Sequence, residues 1–236
     1  MADMMNGARQ GPAYGIVVAA GRSERMGGID KVLAPLVGRP LLAWTLSAFK
    51  KCDEIDKVVV VAAPASLDRV RAFVEEWRFT KVTAVVPGGA TRQQSVRAGI
   101  DAAAGAAIVA IHDAARPLVT PELIARGVAL ARETGAALCA VPARDTVKEV
   151  DGDPPVVTAT PDRTRIWLAQ TPQVFDRALL LEAHDRAGAD ATDDAALVEA
   201  AGHRVHVYRG DYANIKVTDP DDLIIAEALL RERLSP

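Results

Sequence analysis

Residues 16–31 read Ile16-Val17-Val18-Ala19-Ala20-Gly21-Arg22-Ser23-Glu24-Arg25-Met26-Gly27-Gly28-Ile29-Asp30-Lys31. The run Ile16–Ala20 is apolar without alternation, which predicts a parallel strand covered on both faces. Gly21 follows at once, where any side chain would hold a ligand off the backbone, and Arg22, Arg25 and Lys31 add three cations. Turn amides with cations around them suit a polyphosphate. The stretch lacks both the G-x-G-x-x-G of dinucleotide folds and the Gly-Lys-Ser/Thr of P-loop NTPases. A nicotinamide oxidoreductase is therefore not expected.

Working outward, apolar runs recur at Lys57–Ala62, Val82–Val86, Ala107–His112, Ala137–Val141 and His203–Tyr208. Helical patterns separate them at Leu41–Lys50, Ser66–Glu76, Thr91–Ala103, Pro121–Glu133, Arg177–Arg186, Asp193–Ala200 and Asp219–Arg233. Ser66 before Leu67-Asp68, Thr120 before Pro121-Glu122, and Thr218-Asp219-Pro220 supply helix-start signals. Such alternation predicts an α/β fold, a mostly parallel sheet with helices on both faces. Ligands then bind at the carboxyl ends of the strands. The loops expected there, 21–31, 87–95 and 113–117, are all polar and rich in glycine or arginine.

From Arg144 to Thr171 the alternation breaks. Val147–Val150, the turn Asp151-Gly152-Asp153-Pro154-Pro155, Val156–Thr160 and Ile166–Ala169 predict a protruding β-arm of about residues 144–171. An arm with so little core of its own is expected to pack on a second copy of the chain, making a homodimer. The alternative is a lid over its own subunit. The remaining organisation is a flexible tail over 1–13 and one domain over 14–236.

The 28 basic and 31 acidic residues leave a formal charge of −3, with no broad basic surface for nucleic acid. No segment approaches the roughly twenty apolar residues of a membrane span, and no signal-peptide core precedes residue 14. A cytoplasmic protein is expected. Cys52 and Cys139 lie far apart without metal-ligand spacing, and neither is assigned a redox or disulfide role.

In the second loop, Gly88-Gly89 permits positive φ and close backbone approach to a flat ligand, and Ser95 offers a hydroxyl one turn into the following helix. In the third, Asp113 directly follows a buried strand, the natural place for a Mg²⁺ ligand to a triphosphate. Arg116 presents a fork of donors for a phosphate or polyol oxygen. His112 reads as structural, and His184, His203 and His206 have no partners at ligand spacing. Arg163 sits on the arm, where a solvated position is the alternative to a ligand contact. Lys216, between Ile215 and Val217 in an expected strand, points opposite to both and calls for an anion.

Five segments match one family in order: Ala19-Ala20-Gly21 with Arg25 and Lys31; Gly88-Gly89-x2-Arg92-x2-Ser95; His112-Asp113-Ala114-Ala115-Arg116-Pro117; Gln170-Thr171-Pro172-Gln173-x-Phe175; and Asn214-Ile215-Lys216-Val217-Thr218. With Asp145-Thr146-Val147-Lys148 and Thr192-Asp193-Asp194-Ala195, the chain resembles the 2-C-methyl-D-erythritol 4-phosphate cytidylyltransferases over nearly its whole length. The resemblance implies a Rossmann-like fold and the joining of CTP to that polyol phosphate with release of pyrophosphate, in the non-mevalonate route to isoprenoids. It implies that Arg25 and Lys31 stabilise charge on the α-phosphate and leaving pyrophosphate. The backbone of Ala19, Ala20 and Gly21 would wrap the triphosphate, and Gly88, Gly89, Arg92, Ser95 and Ala114 would complete the nucleotide site. Arg163 and Lys216 would grip the polyol phosphate, with Arg116, Thr146 and Thr192 near its hydroxyls, and Asp113 would contact Mg²⁺ or another divalent cation. The arm would carry Thr146 and Arg163 into the partner's site.

Two positions depart from the family pattern. Asp30 stands where a proline is common, and Ala90 where an acidic residue is common. Ribitol 5-phosphate cytidylyltransferases share nearly all these motifs, but His112–Arg116 and Asp145-Thr146-x-Lys148 favour methylerythritol phosphate. A nucleotide sensor without catalysis is disfavoured because both Arg25 and Lys31 are kept, and sensing needs no transition-state stabilisation.

Overall fold

The computed structural model describes residues 9–21, 31–188 and 191–235, with Lys31 described by its backbone alone. Arg25 and residues 1–8 of the expected tail therefore lie outside the described residues. Residues 9–13 of that tail are tied down. Arg132 donates to the carbonyls of Arg9 and Gly11 at 2.5 and 2.9 Å, and the Ala13 amide donates to Asp56 at 2.8 Å.

Four strands follow the apolar runs closely: β1 (Ala13–Ala19), then β4 (Lys57–Ala62), β5 (Val82–Pro87) and β6 (Ile108–Asp113). Between β1 and β4 lie the two-residue strands β2 (Pro35–Leu36) and β3 (Arg39–Pro40), which form a small hairpin of their own. β1 pairs in parallel with β4 on one side and β6 on the other, and β5 pairs in parallel with β4. The order β5-β4-β1-β6 is Rossmann-like, and strand order reverses at β1. The lack of alternation in β1 is explained by two cores. Ala13, Val17 and Ala19 enter one with Leu42, Leu46 and Phe49 of helix α1 (Leu41–Lys51), while Tyr14 and Ile16 enter the other.

The first core is covered by α1, α2 (Leu67–Glu76) and α4 (Pro121–Thr134), and the second by α3 (Arg92–Ala102), α5 (Arg177–Arg186) and α6 (Asp194–Ala200). Several caps are those expected. Thr120 accepts from the Leu123 amide at 3.2 Å, and Asp219 and Asp222 form a capping box at the start of α7 (Pro220–Leu234). Ser66 precedes α2 without a side-chain cap bond, because a 3₁₀ turn at Pro64–Ser66 already feeds the helix. Gly135 ends α4 at φ 89°, the left-handed stop its position predicts.

The other half of the sheet is where expectation and structure part. Strand β7 (Ala136–Pro142) and β11 (His206–Arg209) are parallel to each other, but β10 (Trp167–Asp176) runs antiparallel between β6 and β7. Ile166–Ala169 was expected in the arm. Instead Trp167, Leu168 and Ala169 pair with Pro142, Val141 and Ala140 of β7. The strand then carries Pro172 through the middle of the sheet by a register shift between Ala169 and Gln173. A proline donates no ladder bond, so it is tolerated where a bulge takes it out of register. The protruding arm is the antiparallel pair β8 (Glu149–Asp151) and β9 (Val156–Ala159), in which every residue is exposed.

Candidate active site

A cavity of about 310 Å³ opens at the carboxyl edge of β1, β5 and β6, beside the point where strand order reverses. Ala19, Ala20, Gly21, Gly89, Arg92, Ser95, Asp113 and Lys216 line it, together with Val32 and Thr218. Among the described residues, a Cβ on Gly21 would meet nothing within 4 Å.

The glycine pair, Gly88 and Gly89, does not take up the positive φ that it permits. A Cβ on Gly88 would stand 2.4 Å from the Cβ of Ala20 and 2.7 Å from the Ser95 hydroxyl, and one on Gly89 2.4 Å from the Cβ of Gln94. Gly88 lets the second loop close against Ala20, and Gly89 lets it pack on Gln94 of its own helix. The Ser95 hydroxyl, read as free for a nucleotide, accepts from the Gly89 amide at 3.1 Å and donates to the Thr91 carbonyl at 2.9 Å. Gln94 holds the Ala90 amide at 2.8 Å. Ser95 and Gln94 therefore set the loop backbone, and the backbone is left to face a ligand.

Asp113 is the electrostatic centre. Its carboxylate meets Lys216 at 2.7 Å and Arg92 at 3.3 Å. Burial alone would raise its pKa, but Arg92 and Lys216 outweigh burial and hold it well below the usual carboxylate range. Arg92 also reaches Asp194 at 2.9 Å. Burial disfavours its charge, yet Asp194 and Asp113 together raise its pKa above the ordinary guanidinium value. The alternation expected around Lys216 is present, with Val217 fully buried and Lys216 exposed, although no strand forms there; Val217 is pinned by a bond from its amide to Ala115 at 2.8 Å.

Beneath Asp113, the fully buried His112 locks the loop. The Asp113 amide donates to Thr171 Oγ1 at 3.1 Å, that hydroxyl lies 3.0 Å from His112 Nδ1, and His112 Nε2 lies 3.2 Å from the Arg116 carbonyl. One consistent pattern satisfies all three: Thr171 donates to Nδ1, and Nε2–H donates to the carbonyl. Burial pushes the His112 pKa down to about 4 from an ordinary 6.5. The unfolded chain therefore takes up a proton as pH falls through about 6.5, while the native state resists until about 4. Stability from this group is complete above pH 6.5 and lost toward pH 4, on the order of 3 kcal/mol. Urea unfolding from pH 7 to 4 should show a steeper loss for the natural chain than for His112→Gln. Equal slopes would remove His112 as the source.

A second cavity of about 270 Å³ shares Arg92, Asp113 and Lys216 with the first and adds Arg116, Gln170, Thr171, Gln173, Thr192 and Asp193. Arg116 and Thr192, both expected at the polyol, thus share one cavity. Arg116 donates to the Asn214 carbonyl at 2.7 Å, and Asn214 donates to the Thr171 carbonyl at 2.8 Å. Ala114, expected at the nucleotide, is fully buried with its amide bonded to the Val18 carbonyl at 2.9 Å; its neighbour Ala115 lines the cavity. Thr146 and Arg163 line neither cavity; both are exposed, and Arg163 donates to the Arg144 carbonyl at 2.6 Å. The Lys31 side chain lies outside the described residues, but its backbone opens a 3₁₀ turn (Lys31–Leu33) that carries Val32 to the cavity wall.

Among the described residues, no three His, Cys, Asp or Glu side chains converge as a metal cage. Asp113 offers one ionised carboxylate bordering both cavities. That could give a divalent cation a single protein ligand. Sequence reading missed Gln173, which lines the second cavity, and Asp194, which pairs with Arg92, although both lie in quoted motifs. Asp194 reads as an ordinary acidic residue in a first helical turn.

A family model described as IspD, 2-C-methyl-D-erythritol 4-phosphate cytidylyltransferase, matches residues 14–232. The chain belongs to this family. It is 45% identical over 217 residues to the 2-C-methyl-D-erythritol 4-phosphate cytidylyltransferase of Dehalococcoides mccartyi (strain 195), covering 92% of this chain and 95% of that one. The enzyme of the same name from Geobacter metallireducens is 44% identical, over 94% of this chain and 98% of its own. Among solved structures, the 4-diphosphocytidyl-2C-methyl-D-erythritol synthase of Anaerococcus prevotii superposes with a TM-score of 0.84 at 29% identity, covering 97% and 99% of the two chains. The Thermus thermophilus cytidylyltransferase superposes at 0.75 with 36% identity, covering 92% and 98%.

Proposed function

We infer that this chain transfers a cytidylyl group from CTP to 2-C-methyl-D-erythritol 4-phosphate, a step in the non-mevalonate route to isoprenoids. A phosphate oxygen of the polyol phosphate forms a new bond to the α-phosphorus of CTP, the bond to the β-phosphate oxygen breaks, and pyrophosphate leaves. The product is 4-CDP-2-C-methyl-D-erythritol. The observation that carries this reading is the wall of Arg92, Asp113 and Lys216 between two adjoining cavities, in a chain that belongs to this family from residue 14 to 232. One cavity suits a nucleotide on loop backbone, the other a polyol among Arg116, Thr192 and Lys216.

The nucleophile is already an anion, so no base is needed, and positioning and charge neutralisation carry the rate. Lys216 and the arm's Arg163 would orient the incoming phosphate. Arg25 and Lys31 would meet the charge that builds on the α-phosphate and on pyrophosphate. Mg²⁺, held by Asp113 and the triphosphate's own oxygens, would add charge neutralisation when bound.

The enzyme is proposed to act as a homodimer through the arm. Val150, Val156 and Val157 on the hairpin and Trp167 and Leu168 beside it are 42–64% exposed, an apolar surface a partner would cover. No helix among the described residues is long and apolar enough to cross a membrane. A cytoplasmic site of action, with neither nucleic acid nor membrane as partner, completes the reading.

The test is pyrophosphate release with each nucleoside triphosphate against methylerythritol phosphate and ribitol 5-phosphate. Cytosine and uracil exchange donor and acceptor at their pairing edge, and a loop backbone fixed by Ser95 and Gln94 cannot re-form for both. CTP should outpace UTP by at least about tenfold, since a mispaired buried group costs on the order of 1–3 kcal/mol. Equal turnover of the two would rule out this base readout. Faster turnover of ribitol 5-phosphate would move the chain to the other polyol.

A further inference from the structure

Resting on the reading above, we infer that Asp194 is the positioning residue for Arg92, setting the guanidinium in the wall between the two cavities. Arg92 is held by two carboxylates of unlike character. Asp113, at 3.3 Å, borders both cavities and already engages Lys216 at 2.7 Å. It is the partner that substrate or a cation would draw on. Asp194, at 2.9 Å, has a side chain only 1% exposed and lines neither cavity. A buried carboxylate that gave up this pair would have no water to replace it, so Arg92 stays bound to Asp194 while its bond to Asp113 is free to change.

Asp194 is itself held on a rigid mount. It is the first residue of α6, and Asp193 caps that helix through the Ala196 amide at 2.9 Å. Gln173 of β10 ties this corner to the sheet. It donates to the other Asp193 oxygen at 2.9 Å and accepts from the Ala195 amide at 3.0 Å. The second Asp194 oxygen lies 3.7 Å from Nε2 of the buried His184, and neither atom has a hydrogen-bond partner among the described residues. Among the described residues Arg92 is the cation within hydrogen-bond distance of this carboxylate, and Arg92 depends on it in turn for place. A side chain locked by a buried partner on rigid elements is what a transition-state contact requires. A displacement near 1 Å costs about a hundredfold.

The test is a double-mutant cycle on kcat/KM for CTP and for the polyol phosphate, with Asp194→Asn, Arg92→Met and both together. Asp194→Asn alone should lose at least about tenfold while melting within a few degrees of the natural protein. In the Arg92→Met background the same change should cost less than about twofold, because the group it positions is gone. Losses that multiply, or natural activity in Asp194→Asn, would overturn the inference. Arg92→Met strands a buried carboxylate; should it fail to fold, Arg92→Lys keeps a cation there without the fork and serves as the second background, with the same two outcomes. If the natural chain releases no pyrophosphate, the functional reading falls on its own. The cycle is then run on CTP dissociation constants, where additivity overturns the role of Asp194 and non-additivity upholds it.

Discussion

Replacing Lys31 or Arg25 with alanine should lower kcat by about a hundredfold or more while leaving the KM for the polyol phosphate nearly unchanged. Each is proposed to meet charge that is greater in the transition state than in bound CTP, and only such differential contacts act on kcat. A residue that merely holds CTP would raise the nucleotide's KM instead. Steady-state pyrophosphate release with both substrates varied separates the cases. The pair also ranks the two cations. Asp30 lies beside Lys31 in place of the family's common proline, and an adjacent carboxylate competes with phosphate for the ammonium. A smaller effect for Lys31→Ala than for Arg25→Ala would reflect that competition. A variant that keeps near-natural kcat takes its residue out of the chemistry.

The second large effect is recovery rather than loss. Lys31→Ala and Arg163→Ala homodimers should each be nearly inactive, since every site in each carries one defect. If Arg163 serves the neighbouring subunit while Lys31 serves its own, a mixed dimer gathers both defects in one site and leaves the other whole. Random reassortment makes half the dimers mixed, so activity should recover to about a quarter of the natural level. The geometry motivates the cross-subunit assignment. Arg163 and Thr146 line neither cavity of their own chain, and the hairpin beside them buries none of its residues. Subunit exchange is verified independently, for example with differently tagged chains. Proven exchange without recovery would make the arm a lid acting on its own site.

Much of the fold was legible because the features that define it are local. The unalternating run at Ile16–Ala20 announces a doubly covered strand, Thr120-Pro121 a helix start and Gly135 a helix end, and each lies within a few residues of its prediction. Strand β10 escaped the reading for an equally local reason. A proline in a polar segment argues against a central strand, and only pairing with β6 and β7 on either side, with a bulge to absorb the missing donor, makes β10 one. The Gln170–Phe175 motif was recognised, but its place in the sheet was not.

The candidate site divides along the same line. Residue types and spacing were enough to single out Asp113, Arg116 and Lys216, each of which lines at least one of the two cavities, although no strand forms at Lys216. The use of each polar atom was not legible, because hydrogen bonds formed only in the folded loops and between distant segments decide it. Ser95 spends its hydroxyl on its own loop, Ala114 lies under the floor, and Arg92 meets Asp194 across 102 residues of chain. Local propensity and periodicity act over a turn or two of chain and are written in consecutive residues. Ion pairs and close packing act over a few ångströms of space, so they exist only once the sheet has brought β6, the α3 loop and the α6 corner together.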